Sequence, residues 1–312
     1  MFSLIFPGQG SQTVGMCKEF YEKFDKVKNI FDKADEVLNF PIKKLIFEGP
    51  KEQLDLTENT QPAIFLVGYS IFELLTKEFE FDVSKVKFYA GHSLGEYTAL
   101  SSAGFLNFEE TLTILKKRGQ AMQSSVPKGE GGMIAVLGSK IEFIENLLKE
   151  NSGNYECFVA NDNSEGQVVL SGKIGDIKKF SLDLKKNNIK NILLPVSAPF
   201  HCKLMNKATN IMKSEIEKLN ILSVKKNIIP NVTGEIMNNT SEIKNLLIQQ
   251  IESKVKWRES IKYMIDNGTN DFIEIGPGKV LSGLVKRINK NVKVSAINRE
   301  EDINTLKNIY GF

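Results

Sequence analysis

The stretch VKFYAGHSLGEYTAL, residues 86–100, decides the fold of this chain. It begins with a short run of strand-forming residues, passes through a turn at Gly91–Gly95, and continues as a helical pattern from Glu96. A strand, a sharp turn and a helix in such close succession predict an α/β fold with a parallel sheet. Because Gly-x-Ser-x-Gly in this context is the pattern of a nucleophile elbow, Ser93 is predicted to be a catalytic nucleophile.

The glycines on either side of Ser93 have a chemical reason. The serine must occupy a strained turn so that its hydroxyl projects from the sheet edge, and a β-carbon at either flanking position would clash there. The helix that follows directs free N–H groups and its positive dipole end toward a developing oxyanion. The alternative interpretation is a glycine-rich turn whose serine only caps a helix.

A serine nucleophile needs a general base, and the chain contains two histidines, His92 and His201. His92 adjoins Ser93 inside the turn, where neighbouring side chains diverge. His201 is therefore the predicted base, with a helix-capping histidine as the alternative. Cys202 is a rival nucleophile with little support. No carboxylate is identifiable as a third triad member, and a backbone carbonyl can also fix the imidazole tautomer.

Hydrophobic patterns divide the chain into a large and a small unit. Residues 127–196 read as β-α-β-β-α-β, the ferredoxin-like order, between linker compositions at 127–132 and 195–199. A ferredoxin-like small domain at 127–196 is therefore expected, inserted into a large α/β domain of residues 1–126 and 197–312. For the large domain the patterns predict a strand at 2–6, helices from about Ser11, at 18–38, 60–78, 201–219 and 241–267, and strands at 227–231 and 271–275.

Composition excludes several classes of protein. Apolar residues make up 41% and charged residues 25% of the 312 residues, as in an ordinary globular protein. A net charge of +3 is too small to indicate nucleic-acid binding. No apolar run approaches a membrane span, and the N-terminus reads as a buried strand rather than a signal peptide. Three scattered cysteines indicate reduced thiols in a cytoplasmic protein.

Six blocks of sequence, in the same order, resemble malonyl-CoA:acyl-carrier-protein transacylases of type II fatty-acid synthesis. They are FPGQGSQ (6–12), GHSLGEY (91–97), KRGQAM (117–122), QVVLSG (167–172), PFH (199–201) and EIGPGKVL (274–281). The resemblance covers residues 2 to about 298. It implies an α/β-hydrolase-like large domain that carries the ferredoxin-like insertion. It also implies an S-malonyltransferase that moves malonyl from malonyl-CoA to the phosphopantetheine thiol of acyl carrier protein through a malonyl-serine, by a ping-pong mechanism.

The family's roles fall on matching positions of this chain. The resemblance implies that Ser93 is acylated and that His201 takes and returns the proton. It implies that the backbone N–H groups of Gln9 and Leu94 form an oxyanion hole, and that the backbone carbonyl of Gln250 orients the histidine.

Arg118 is the position that the resemblance assigns to the malonyl carboxylate. A planar guanidinium can hold both carboxylate oxygens in two parallel hydrogen bonds. Taken alone, a Lys-Arg pair on a helix predicts solvated surface. Phe200 could crowd a branched acyl group, and because many transacylases of fatty-acid synthesis have a small residue there, it leaves unusual acyl preferences open.

Two other apparent motifs do not fit cofactor binding. Gly8-Gln9-Gly10 lacks the third glycine of a dinucleotide fingerprint. Gly276-Pro277-Gly278-Lys279 lacks the spacing of a phosphate loop and is expected to open the following helix beside the site. Neither a cofactor nor a metal ion is implied.

Other functions remain open from sequence. A thioesterase or esterase would use the same Ser93–His201 pair with water as acceptor, and a non-catalytic carrier-binding module would need neither residue. The expected partners are malonyl-CoA and acyl carrier protein, without nucleic acid or membrane, and the chain is expected to be a monomer. Because the carrier is expected to be acidic, a basic surface including Lys286 and Arg287 is predicted near the site mouth. A solvated helix face is the alternative, and the choice between a fatty-acid and a polyketide carrier stays open.

Overall fold

A computed structural model describes residues 1–127, 129–151, 153–196 and 198–311. These residues contain nine strands in two sheets. The strands are β1 (Phe2–Phe6), β2 (Val86–Gly91), β3 (Gly131–Leu137), β4 (Cys157–Ser164), β5 (Gln167–Lys173), β6 (Lys190–Leu193), β7 (Ile228–Ile229), β8 (Asp271–Ile275) and β9 (Lys293–Ile297).

The same described residues contain fourteen α-helices, some packed against one of the sheets and others against neighbouring helices. They are α1 (Lys18–Lys23), α2 (Asp25–Leu38), α3 (Ile42–Glu48), α4 (Lys51–Leu54), α5 (Thr57–Lys77), α6 (Gly95–Ser102), α7 (Phe108–Gln123), α8 (Ile141–Glu150), α9 (Ile174–Lys186), α10 (Asn206–Glu217), α11 (Ile243–Gln250), α12 (Trp257–Asp266), α13 (Val280–Ile288) and α14 (Glu300–Tyr310). Across the described residues, no helix is both long enough and apolar enough to pass through a bilayer.

The larger sheet is parallel throughout, in the order β7-β2-β1-β8-β9. Both of its faces are covered by helices, which explains why β1 is buried at every position. Leu4 and Phe6 pack into the core that α2, α5 and α7 share, whereas Ile5 packs on the opposite side with residues of α12 and α13. The predicted α/β class with a parallel sheet is confirmed.

The smaller sheet is antiparallel, in the order β4-β5-β3-β6. Helices α8 and α9 cover one face through a core that includes Ile134, Val168 and Phe180. Met133 and Val169, which point to the other face, join the core of the larger unit. The predicted succession β-α-β-β-α-β is confirmed. The two linkers predicted around it include Lys128 and Ser197, which lie outside the described residues, as do Ser152 and Phe312.

Several predicted helix boundaries were wrong. Residues 11–17 form turns rather than a helix, and the helix predicted over 18–38 breaks at Phe24, whose backbone is extended. The helix predicted over 201–219 begins only at Asn206, after a 3-10 turn at Lys203–Met205. The strand at 227–231 is limited to two residues, and β9 was not predicted.

The helix predicted over 241–267 is interrupted between α11 and α12 because that segment pairs with the smaller sheet. The N–H of Val255 donates to Ala160 O at 2.8 Å, and the N–H of Asp162 donates to Val255 O at 3.0 Å. Arg258 then binds the Asp162 carboxylate through Nε at 2.9 and 3.0 Å. These contacts fix the smaller sheet against the larger unit, with Gln250 at the end of α11 close by.

Candidate active site

Ser93 lies in the turn between β2 and α6, as the sequence predicts, and its backbone is left-handed with φ 53°. A β-carbon on Gly91 would lie 1.9 Å from Gly95 O, and one on Gly95 would lie 2.2 Å from Phe6 O. Both flanking positions therefore require glycine, because any side chain would collide with backbone. The turn presents the Ser93 hydroxyl above the carboxyl end of the parallel sheet.

His201 contacts Ser93 directly. Ser93 Oγ lies 2.8 Å from His201 Nε2, and His201 Nδ1 lies 2.9 Å from the backbone oxygen of Gln250. Since a carbonyl can only accept, Nδ1 carries the proton and Nε2 is free to accept the Ser93 hydroxyl. The imidazole is thus oriented by a backbone carbonyl rather than by a carboxylate. His201 precedes the 3-10 turn and does not cap α10.

The His201 imidazole is kept neutral by its surroundings. It is 4% exposed, and burial together with the positive charge of Arg118 lowers its pKa to about 3. A neutral imidazole at physiological pH is the form that can accept a proton from serine. His92 points elsewhere, with Nε2 2.8 Å from Asn163 Oδ1 and its ring 5.6 Å from that of Trp257.

Arg118 lies in α7 and is turned inward. Its side chain is 1% exposed, and burial lowers its pKa from the ordinary value. Nη1 donates to Gln61 Oε1 at 2.7 Å, Nη2 donates to Gln250 Oε1 at 2.9 Å, and Nη2 lies 3.4 Å from Ser93 Oγ. A buried cation next to a nucleophile, held by neutral amides instead of a direct carboxylate partner, can bind an anionic group of a substrate.

A cavity of about 150 Å³ opens beside these groups, between the two sheets. Its polar end is formed by Ser93, His201, Arg118 and Gln61. Its apolar wall combines residues of both units, including Met122, Met133, Val169, Leu194, Val196 and Phe200. The volume suits a small acyl group with one polar terminus.

The remaining predicted site residues also border this cavity. Gln9 and Leu94 are part of its lining, and within the described residues neither backbone N–H donates a hydrogen bond. Two unoccupied N–H groups next to a serine hydroxyl are what an oxyanion hole requires. Phe200 is 7% exposed and contributes to the apolar wall.

Several polar side chains at the site were not predicted from the sequence. Gln61 holds Arg118, Asn231 accepts the Ser93 N–H at 2.7 Å, and Asn163 binds His92. None of them belongs to a motif or has a spacing that the chemistry of a serine nucleophile predicts. Only the fold brings them to the same place.

Two other expectations concern residues outside this cavity. Cys202 is 2% exposed, its thiol donates to Pro199 O at 3.1 Å, and burial raises its pKa, so it is poorly suited to attack a substrate. The Gly276–Lys279 segment does precede a helix, α13, and its first three residues line a separate cleft with residues 13–19. A β-carbon on Gly276 would lie 2.8 Å from the Pro7 ring, two residues before Gln9, and a position beside the site stays a prediction.

The basic pair of α13 is held by local contacts. Lys286 donates to the backbone oxygen of Val292 at 2.6 Å, and Arg287 donates to Gln167 Oε1 at 3.0 Å. Arg287 therefore bridges the larger unit and the start of β5. Among the described residues, no cluster of three or more histidine, cysteine or acidic side chains could hold a metal ion.

Comparisons with known proteins agree with this geometry. Residues 3–307 match the family model described as an acyl transferase domain. The malonyl CoA-acyl carrier protein transacylase of Bacillus subtilis (strain 168) is 41% identical over 304 residues, which cover 96% of this chain and 94% of the relative. The solved acyl-carrier-protein-S-malonyltransferase of Bartonella henselae has a TM-score of 0.96 and 38% identity, and the match covers 100% of both chains.

A further solved structure contains a malonyl-transacylase in complex with its type II PKS acyl-carrier protein. It has a TM-score of 0.93 and 33% identity, with 97% of this chain and 98% of that chain covered. The matches extend over nearly the whole length on both sides, and the span that matches the family model, residues 3–307, includes the positions of Ser93, His201 and Arg118. The chain therefore belongs to the acyl transferase family, among the malonyl CoA-acyl carrier protein transacylases.

Proposed function

We propose that this protein transfers malonyl from malonyl-CoA to the phosphopantetheine thiol of acyl carrier protein, through a malonyl ester on Ser93. One observation carries the proposal: a buried guanidinium, Arg118, lies 3.4 Å from the hydroxyl of a serine that is already hydrogen-bonded to a neutral histidine. The reaction supplies malonyl-carrier, the extender unit of fatty-acid biosynthesis.

In the first half-reaction, Ser93 attacks the thioester carbonyl of malonyl-CoA while His201 Nε2 takes the hydroxyl proton. The backbone N–H groups of Gln9 and Leu94 stabilise the oxyanion of the tetrahedral intermediate. The C–S bond then breaks, and the coenzyme A thiolate takes the proton from His201. The backbone oxygen of Gln250 keeps the imidazole in the required tautomer throughout.

Arg118 binds the free carboxylate of the malonyl group. Two parallel hydrogen bonds from the guanidinium offset the free-energy cost of desolvating that carboxylate inside the cavity. A single point charge offsets this cost less well. An acetyl group has no carboxylate and leaves Arg118 without this partner. Arg118 therefore selects a dicarboxylic half-ester and places its carbonyl next to Ser93.

In the second half-reaction, the phosphopantetheine thiol replaces coenzyme A in the same position. His201 takes the thiol proton, the sulfur attacks the ester carbonyl, and Ser93 Oγ leaves with the proton restored. Ser93 is half-buried, and His201 and Arg118 beside it are buried, so that access of water to the malonyl ester is limited, which favours thiol transfer over hydrolysis.

Intact-mass spectrometry after mixing with malonyl-CoA, with and without holo acyl carrier protein, separates the candidate functions. Transfer predicts a malonyl adduct that is stable alone and lost to the carrier when the carrier is added. Rapid release of free malonate without carrier acylation would favour a thioesterase or esterase. A complete lack of adduct would favour a non-catalytic carrier-binding module.

The finer architecture is part of the same proposal. The strand order β4-β5-β3-β6 of the smaller sheet supports a ferredoxin-like domain at 127–196, inserted into an α/β-hydrolase-like domain of residues 1–126 and 197–312. The cavity between the two sheets supports a site shared by both domains. The proposal takes the protein to be a cytoplasmic monomer, which sedimentation analysis at micromolar concentration would test.

Two features bear on acyl group and carrier. The Phe200 side chain reduces the space along the apolar wall of the cavity, which favours malonyl over branched acyl groups. Lys286 and Arg287, at the end of α13, are proposed to contribute to a basic surface for an acidic carrier. The contact of α13 with the smaller sheet through Gln167 supports a location near the boundary of the two units.

A further inference from the structure

Three buried polar side chains next to Ser93 have no role in proton transfer. They are Asn231, Glu96 and the side-chain amide of Gln250, which are 1%, 2% and 0% exposed. Buried polar groups of this kind are costly unless they are fully paired. Their hydrogen bonds run from the Ser93 turn to Arg118.

Asn231 connects the two sides of the turn. Its Oδ1 accepts the Ser93 N–H at 2.7 Å, and its Nδ2 donates to Gly91 O at 2.7 Å. Because the left-handed backbone at Ser93 is unfavourable for a residue with a side chain, it persists only where surrounding contacts hold it. The Asn231 amide makes two such contacts at once.

Glu96 fixes the orientation of the Gln250 amide. Glu96 Oε2 accepts the Asn231 N–H and Gln250 Nε2, both at 2.8 Å. With its nitrogen held by Glu96, the amide must present its oxygen to Arg118 Nη2, at 2.9 Å. A flipped amide would place its NH2 group against the guanidinium and its oxygen against the carboxylate, two repulsive contacts.

We propose that Asn231 and Glu96 are positioning residues: Asn231 holds the Ser93 turn in its reactive conformation, and Glu96, through the Gln250 amide, holds Arg118 in place for the substrate carboxylate. The inference rests on the proposed function, because the position of Arg118 matters only for an acyl group that carries a carboxylate. It predicts different kinetic defects at the two residues.

Glu96 is tested by the specificity ratio, defined as kcat/KM for loading from malonyl-CoA divided by that from acetyl-CoA. In Glu96→Ala this ratio is expected to fall by about tenfold or more, since Arg118 loses its oriented acceptor. Glu96→Gln keeps an acceptor oxygen for both donors and is expected to restore much of the ratio. A ratio within about twofold of wild type in Glu96→Ala contradicts the proposal.

Glu274 offers a matched control. It is also a fully buried carboxylate, and it accepts the N–H groups of Leu281 and Ser282 at 3.0 and 2.7 Å, away from the cavity. Glu274→Ala is expected to lower the melting temperature without changing the specificity ratio. Should Glu96→Ala not fold, Gln250→Leu gives the same test, because it removes the amide and leaves the backbone carbonyl that orients His201.

Asn231 is tested by single-turnover acylation followed by rapid quench. Asn231→Ala is expected to slow the acylation rate constant by about tenfold at saturating malonyl-CoA, with an undiminished adduct amplitude. A purely structural defect would reduce the amplitude and leave the rate constant of the folded fraction unchanged, which would contradict the positioning role. Absence of a malonyl adduct in wild type would overturn the proposed function and this inference together, whereas a normal wild type with unchanged ratio and rate in the variants would overturn only this inference.

Discussion

Arg118 is the residue that turns a general acyl-serine site into one for a carboxylate-bearing acyl group. Replacement by alanine removes a charged, bidentate partner, a loss of about 3 kcal/mol, or ~100-fold in kcat/KM for malonyl-CoA. Loading from acetyl-CoA is expected to change far less, and rapid-quench assays with the two thioesters measure both values. Lys117→Ala, which alters the neighbouring exposed residue paired with Glu215, is the control. An equal loss of kcat/KM for malonyl-CoA and acetyl-CoA would contradict the role given to Arg118.

His201 can be followed directly, because the chain has two histidines. With a pKa of about 3, lowered first by burial, the folded imidazole stays neutral from pH 8 to pH 5. Heteronuclear NMR of the ring nitrogens should therefore show an Nδ1-protonated tautomer with no titration in this range. A titration midpoint near 6.5 for His201 would contradict the buried geometry.

The lowered pKa of His201 also affects the stability of the folded protein. The unfolded chain binds a proton at His201 near the ordinary pKa of 6.5, and the folded protein does so only near 3. The free energy of unfolding contributed by His201 is therefore fully present above about pH 6.5 and decreases as the pH falls toward 3.

At the scale of single residues, the sequence predicts the groups that belong to a chemical pattern. Ser93 follows from its flanking glycines and His201 from the scarcity of histidines, and both lie where those arguments require. Asn231 and Gln61 could not be predicted, because a lone amide has no spacing signal and its partner is far away in sequence. The structure alone brings Asn231 to a residue 138 positions earlier in the chain.

Elements of secondary structure were predicted well where hydrophobic periodicity decides them and poorly where tertiary pairing does. The strands β1, β2 and β8 are rich in large apolar residues, and their positions are confirmed. The interruption between α11 and α12 exists because Val255 pairs with the smaller sheet, a contact that local helix propensity cannot anticipate. Strand β9 is amphipathic and partly exposed, so its pattern is weak.

The connection between α12 and β4 leads to a stability prediction. The Asp162 side chain is 1% exposed, and Arg258 is its ion-pair partner. Arg258→Ala would leave the carboxylate buried and unpaired and is expected to cost roughly 3–5 kcal/mol in the free energy of unfolding. Chemical denaturation measures this cost. Lys262→Ala, at an exposed pair with Glu165, is expected to cost less than about 1 kcal/mol.

If the Arg258 and Lys262 variants lost similar amounts of free energy of unfolding, the buried pair would not be what holds the two sheets together. A double variant, Arg258→Ala with Asp162→Ala, should recover part of the loss, since it removes the unpaired charge. This outcome distinguishes a buried ion pair from a general packing defect.

For the molecule as a whole, the cavity lies between two sheets whose residues are far apart in sequence, and the carrier must reach it from outside. Reversing the charges of Lys286 and Arg287 to glutamate is expected to raise KM for acyl carrier protein about tenfold while loading from malonyl-CoA is retained. The effect should weaken as salt is added. An unchanged KM for acyl carrier protein would exclude this surface as the docking site of the carrier.

The matched control for that experiment lies on α9. Lys178 and Lys185 are exposed there, and α9 covers the face of the smaller sheet that is turned away from the cavity. Their reversal to glutamate changes the net charge of the protein by the same amount. It is expected to leave carrier transfer unaffected, so that a loss in both double variants would indicate a general charge effect instead of a docking surface.

The most direct test of the central claim is to locate the acyl group. After a brief exposure to malonyl-CoA and acid quench, peptide mapping should place a single malonyl group on Ser93, and Ser93→Ala should carry none. A chase with holo acyl carrier protein should remove the group from the wild-type peptide and recover it on the carrier thiol. A malonyl group on another residue, or one that Ser93→Ala retains, would contradict the assignment of Ser93 as the nucleophile.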